Sequence, residues 1–204
     1  MASTHRHTAV TLAGLLWLTA AVPAAAQINF GDYIPEDDPM GHYSLVLTPL
    51  SGNDELDFGF LISGDGLVEI DINSEDVVIV EIEGVRYLDV FVTLDAPPYL
   101  TLGGLPTTEE NERMEFTLQG AYANQGSGNT TPAFRQLFTG TSARFPIFRR
   151  TGGPPGPPPT PPHSGYVPPR ESAYLFLGGS IEVGESQDAG FYSAEIIIEV
   201  SYDI

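Results

Sequence analysis

The stretch Tyr174-Leu-Phe-Leu-Gly-Gly-Ser-Ile-Glu-Val183, followed by Gly184-Glu-Ser-Gln-Asp-Ala-Gly190 and by Tyr192-Ser-Ala-Glu-Ile-Ile-Ile-Glu-Val-Ser-Tyr-Asp-Ile204, decides the fold. From Tyr192 onward every even position is apolar: Tyr192, Ala194, Ile196, Ile198, Val200, Tyr202 and Ile204. The odd positions are Ser193, Glu195, Glu199, Ser201 and Asp203, with Ile197 the exception. Side chains on a strand alternate between faces, so this segment is a strand with one dry and one wet face. Tyr174–Val183 reads as the strand before it, and Gly184–Gly190 as a run of turn formers. The two are expected to pair as a β-hairpin that closes an antiparallel sheet.

Upstream the same period-two signal repeats. Tyr43-Leu45-Leu47, Leu56-Phe58-Phe60-Ile62, Val68-Ile70-Ile72, Val78-Val80-Ile82, Leu88-Val90-Val92-Leu94 and Met114-Phe116-Leu118 each outline an apolar face. Turn signals separate them, among them Ser63-Gly-Asp-Gly66, Asn73-Ser-Glu-Asp76 and Ala96-Pro-Pro98. No segment carries apolar residues at helical spacing over a helical length. The expected fold is all-β: an Ig-like antiparallel β-sandwich of about eight to ten strands. Gly178-Gly179, lying inside a strand pattern, reads as a bulge or bend rather than a dinucleotide cradle.

Residues 151–170, with Gly152-Gly-Pro-Pro-Gly-Pro-Pro-Pro-Thr-Pro-Pro162 at their centre, cannot donate ladder hydrogen bonds and favour polyproline II. They read as a stiff proline-rich loop inserted into the single domain 27–204, within an irregular region over 124–172.

Met1–Ala26 has the form of a signal peptide: Arg6 in a short polar start, an apolar run from Val10 to Val22, then Pro23-Ala-Ala-Ala26 with cleavage expected after Ala26. The run is shorter than the ~20 apolar residues that span a bilayer. The expected location is therefore the exterior, the cell surface or the periplasm, with no transmembrane segment after cleavage. Residues 27–41 would form an N-terminal extension of the mature chain. That chain has no cysteine and no lysine, and seven arginines against 27 acids give it a net charge of −20. Such a charge repels nucleic acid and anionic membranes, and the absence of thiols excludes thiolate metal sites and thiol nucleophiles.

Residues that carry chemistry are sparse. The mature chain holds two histidines, His42 and His163, in separate segments. No nucleophile elbow, zinc-protease helix or phosphate loop occurs. Asp71 and Asp89 lie on polar strand faces and show no sign of an acid pair. Asp71-Ile-Asn-Ser-Glu-Asp76, with Asp54, Asp57 and Asp65 in neighbouring turns, offers oxygen ligands of the kind calcium takes, yet lacks the EF-hand pattern. No catalytic, cofactor-binding or metal-binding residue is assigned. Tyr122, Phe134, Phe138, Phe145, Phe148 and Tyr166 could form a binding platform or simply anchor loops to the sandwich.

Leu56-Asp-Phe-Gly59, Ile62-Ser-Gly64, Val68-Glu-Ile70, Ile82-Glu-Gly84 with Leu88–Leu94, and above all Leu177-Gly-Gly-Ser-Ile-Glu-Val-Gly184 with Gln187, Gly190, Tyr192 and Tyr202, resemble a bacterial exported family, domain of unknown function 4402. Pilin-like and spore-coat-U-like domains share a Gly-x-Tyr before the last strand. The resemblance implies an Ig-like or pilin-like sandwich, secreted or surface-displayed, with no catalytic residues to carry over. The function expected is a non-catalytic structural or adhesive protein that assembles with like or related subunits by strand exchange, Ile28–Ile34 being the candidate donor. The alternative is a glycan- or small-ligand-binding module, with calcium as its cofactor in one form.

Overall fold

A computed structural model describes residues 21–30, 43–50, 55–150 and 167–203. The strands are, in chain order, β1 (Ala21–Phe30), β2 (Val46–Pro49), β3 (Glu55–Ile62), β4 (Gly66–Ile70), β5 (Val78–Val85), β6 (Asp89–Asp95), β7 (Tyr99–Leu102), β8 (Arg113–Ala123), β9 (Gln136–Leu137), β10 (Ser142–Pro146), β11 (Arg170–Val183) and β12 (Tyr192–Tyr202). Apart from two short 3-10 turns at Glu110–Glu112 and Pro132–Phe134, the described elements are all β. Two of the twelve strands exceed the expected eight to ten: the two-residue β9, and β1, which straddles the expected cleavage site after Ala26.

Hydrogen bonding runs continuously through β10-β6-β12-β7-β8-β11-β5-β2. β7 is the corner, pairing with β8 through Tyr99–Thr101 and with β12 through Thr101 and Leu102. On one side of it lies a layer centred on β11, which has β8 on one edge and β5 then β4 on the other. The second layer is centred on β12, with β6 on one edge and β1 on the other; β3 closes it beyond β1. Among the described residues every pairing is antiparallel except β1 with β12. The layers share one apolar core in which Val80, Val90, Leu100, Leu175 and Ile196 are wholly buried. Contacts between layers include the edge-on ring pair Phe58–Phe116, at 6.2 Å between centroids.

The expected closing hairpin does not form. β11 and β12 are both strands, β12 with the predicted dry face, yet they belong to different layers and share no ladder. The loop 184–190 carries the chain from one layer to the other. Alternation shows which face of a strand is dry and says nothing about its edge partner. Here the two dry faces meet across the core.

A second correction concerns β3. Leu56 and Phe58 are buried as expected, but Phe60 is 78% exposed and Ile62 faces outward, while Leu61 is buried. Gly59 sits at φ +76°, and the β1–β3 register shifts opposite it. Asp57 accepts a hydrogen bond from the Gly59 N–H at 2.8 Å. The bulge adds one residue and so exchanges the faces of everything after it.

Gly178-Gly179 marks the point where β11 changes partner from β5 to β4. A Cβ on Gly178 would lie 2.6 Å from the Ile70 carbonyl oxygen, and one on Gly179 would lie 2.6 Å from that of Thr117. The strand pattern resumes at Arg170, four residues before the expected Tyr174. The proline-rich segment over 151–166, with His163 and Tyr166, and His42 and Asp54, lie outside the described residues.

Candidate functional site

The acids singled out in the sequence are engaged in their own turns or in ion pairs. The Asp71 carboxylate accepts from the Asn73 N–H at 2.7 Å, and that of Asp65 accepts from the Ile62 N–H at 2.7 Å. Asp89 is ion-paired to Arg150 at 3.0 Å and to Arg144 at 3.5 Å. Asp71 and Asp89 are therefore engaged separately and do not form an acid pair. Among the described residues no three histidine, aspartate or glutamate side chains converge as a metal site would require.

The aromatic set divides in the same way. Tyr122 stacks on the buried Phe145 at 4.1 Å, with Phe138 tilted against it, and Phe148 packs edge-on to Tyr87. These rings anchor the irregular region to the sandwich; Phe134, 40% exposed, is the described member that reaches solvent.

The family-like motif residues tie the loop between the layers. Tyr192 is fully buried, and its hydroxyl accepts from Gln187 Nε2 at 3.0 Å while facing the carbonyls of Asn111 and Asp188 at 2.8 and 2.9 Å. Gln187 Nε2 also donates to the Asn111 carbonyl. Burial pushes the Tyr192 hydroxyl above its ordinary pKa. Gly190 leaves room for Leu102, whose Cδ1 would lie 2.2 Å from an added Cβ. At the far end of β12, the Val85 N–H donates to the Tyr202 hydroxyl at 2.7 Å, joining the two layers.

Sequence reasoning missed the cover over the outer face of β11. Tyr174 and Phe176 point away from the core yet are buried, beneath the segment that follows β8. Arg135 lies over the Phe176 ring at 4.3 Å and donates to the carbonyls of Ile72, Ser74 and Thr130. Burial lowers its pKa, and the charge of Asp71 opposes that shift. The Gly128 N–H donates to the Tyr174 hydroxyl, and Ser127 donates to Glu171 through both its amide and its hydroxyl. The apolar run Tyr174–Leu177, with no polar alternation, was the available signal of a strand buried on both faces.

Two clefts remain. A largely apolar one of about 250 Å³ lies between Leu94, Pro97, Pro98, Phe116 and Thr141. A polar one of about 460 Å³ is lined by Tyr122, Asn124, Gln136, Pro146, Arg149 and Arg150. In the latter Arg150 is committed to Asp89, whereas Arg149 is exposed. Asn124 is 4% exposed; its amide donates to the Pro146 carbonyl, and its Oδ1 has no partner among the described residues. This cleft can offer a cation and amide groups to a small polar ligand; no side chain in it is positioned as a nucleophile with a base. The chain matches no family model and no curated protein.

Proposed function

We propose that this is an exported, non-catalytic structural or adhesive protein of the cell surface or extracellular space, which engages like or related subunits by strand exchange. One observation supports the reading: Ile28–Phe30, the part of the candidate donor Ile28–Ile34 that lies within the described residues, pair as the end of β1 with Ile196–Ile198 of β12. A terminal strand held in that way is the kind of element that can pass from one subunit to another. The expected signal peptide and the likeness to domain of unknown function 4402 point in the same direction. Fractionation of the producing cell tests it, with intact-mass measurement of the recovered chain. A surface or extracellular chain beginning at Gln27 is expected; a full-mass chain retained in the cytoplasm would contradict it.

The polar cleft favours a second reading, a glycan- or small-ligand-binding module. A glycan array read with and without calcium tests this, and no binding in either condition removes it.

A further inference from the structure

Resting on the second of these readings, we propose that the polar cleft beside Asn124 binds a small sugar acid, a single uronic-acid residue with one carboxylate among several hydroxyls. The observation that points to an anion is the state of the arginines. Arg144, Arg150 and Arg170 are ion-paired to acids, and Arg135 directs its guanidinium to backbone carbonyls. Arg86 and Arg113 lie over aromatic rings. Arg149 is exposed, and among the described residues its guanidinium has no ion pair, hydrogen bond or ring contact. A chain with 27 acids thus leaves one arginine unengaged, at a cleft that no acidic side chain lines among the described residues. A guanidinium presents its donors as a planar fork that matches a carboxylate.

The other groups are those that hydroxyls require. The Arg149 N–H donates to the Asn124 carbonyl at 2.8 Å, which fixes the cation beside Asn124. Asn124 Nδ2 is held by the Pro146 carbonyl at 3.0 Å, so Oδ1 is the recessed acceptor left over, and a ligand hydroxyl that donates to it removes the cost of its burial. Across the cleft, Gln136 of β9 pairs with Tyr122 of β8, and its Oε1 accepts from the Tyr122 hydroxyl at 3.0 Å. That bond leaves Gln136 Nε2 to donate. Cation, acceptor and amide donor therefore border one volume of about 460 Å³, within the ~300–1,000 Å³ typical of small-ligand sites. The net charge of the mature chain sets the size of the anion. Repulsion grows with the charge of the ligand, so a compact monoanion is favoured over a polyanion.

The test is an NMR titration of the isotopically labelled full chain with glucuronate, with glucose as the neutral sugar and acetate as the bare carboxylate. Glucuronate is expected to shift the side-chain amides of Asn124 and Gln136 and the Arg149 Nε–H along one saturable curve, with glucose and acetate both weaker. Arg149→Gln should weaken glucuronate about tenfold with circular dichroism unchanged, the order expected for losing a charged hydrogen-bond partner. Glucose binding as tightly as glucuronate, indifferent to Arg149→Gln, would overturn the acid and leave the glycan-binding reading standing. Acetate binding as tightly would reduce the site to a simple anion site and overturn the sugar. Saturable shifts confined to other residues would overturn this cleft as the site. No shift with glucuronate overturns the inference, and a hit on the glycan array would in that case still leave the broader binding-module reading in place.

Discussion

Tyr202 joins the two layers by a hydrogen bond at the end of β12. Tyr202→Phe removes the acceptor of the Val85 N–H and leaves that buried amide unpaired. A loss of about 1–3 kcal/mol is expected in urea unfolding. At Glu171 the hydrogen bond from Ser127 holds the carboxyl below its ordinary pKa, with the Ser172 and Ser127 amides and the charge of Arg86 adding to it against burial. A depressed folded-state pKa contributes stability that is present above the unfolded-state value and lost as pH falls through the folded one. Ser127→Ala should therefore raise the Glu171 pKa toward the ordinary carboxylate range, as read by NMR titration; an unmoved value would contradict the assignment. Side-chain alternation marked Tyr192 and Tyr202 as inward, but their hydroxyl partners, Asn111 and Val85, come from distant segments that no local pattern links to them.

Among the strands, two glycines separate backbone strain from close approach. Gly59 has a positive φ and open space around its Cβ position, so Gly59→Ala should cost about 1 kcal/mol, the usual order for a left-handed L-residue. Gly178 faces a backbone carbonyl that cannot swing aside, so Gly178→Ala should cost more, on the order of 3 kcal/mol. Thermal melts of both variants check the order, and equal losses would contradict it. The dry faces of β5, β6, β8 and β12 were readable from period-two alternation. The bulge in β3 was not, because Leu-Asp-Phe-Gly-Phe-Leu-Ile fits an unbroken strand as well as a bulged one. Nor was the separation of β11 from β12, since a seven-residue run of turn formers serves a hairpin or a crossing between layers equally well. NMR should show close α-proton contacts from Tyr174 to Ala123 and from Ile198 to Leu94, with none between β11 and β12.

Over the whole molecule, the all-β class and the single shared core followed from the sequence, and the polar cleft did not. Asn124, Gln136 and Arg149 are brought together only when the segments around β8, β9 and β10 converge. The most consequential whole-molecule feature is the placement of β1, because it puts a stretch read as a leader inside the folded sheet. Since β3 has no other strand partner among the described residues, its amides report directly on whether β1 is seated. Hydrogen exchange of Glu55–Ile62, followed by mass spectrometry in the uncleaved chain, is the most direct test. Slow exchange comparable to that of β6 is predicted. Fast, loop-like exchange on β3 while β5, β8 and β6 remain protected would contradict the account.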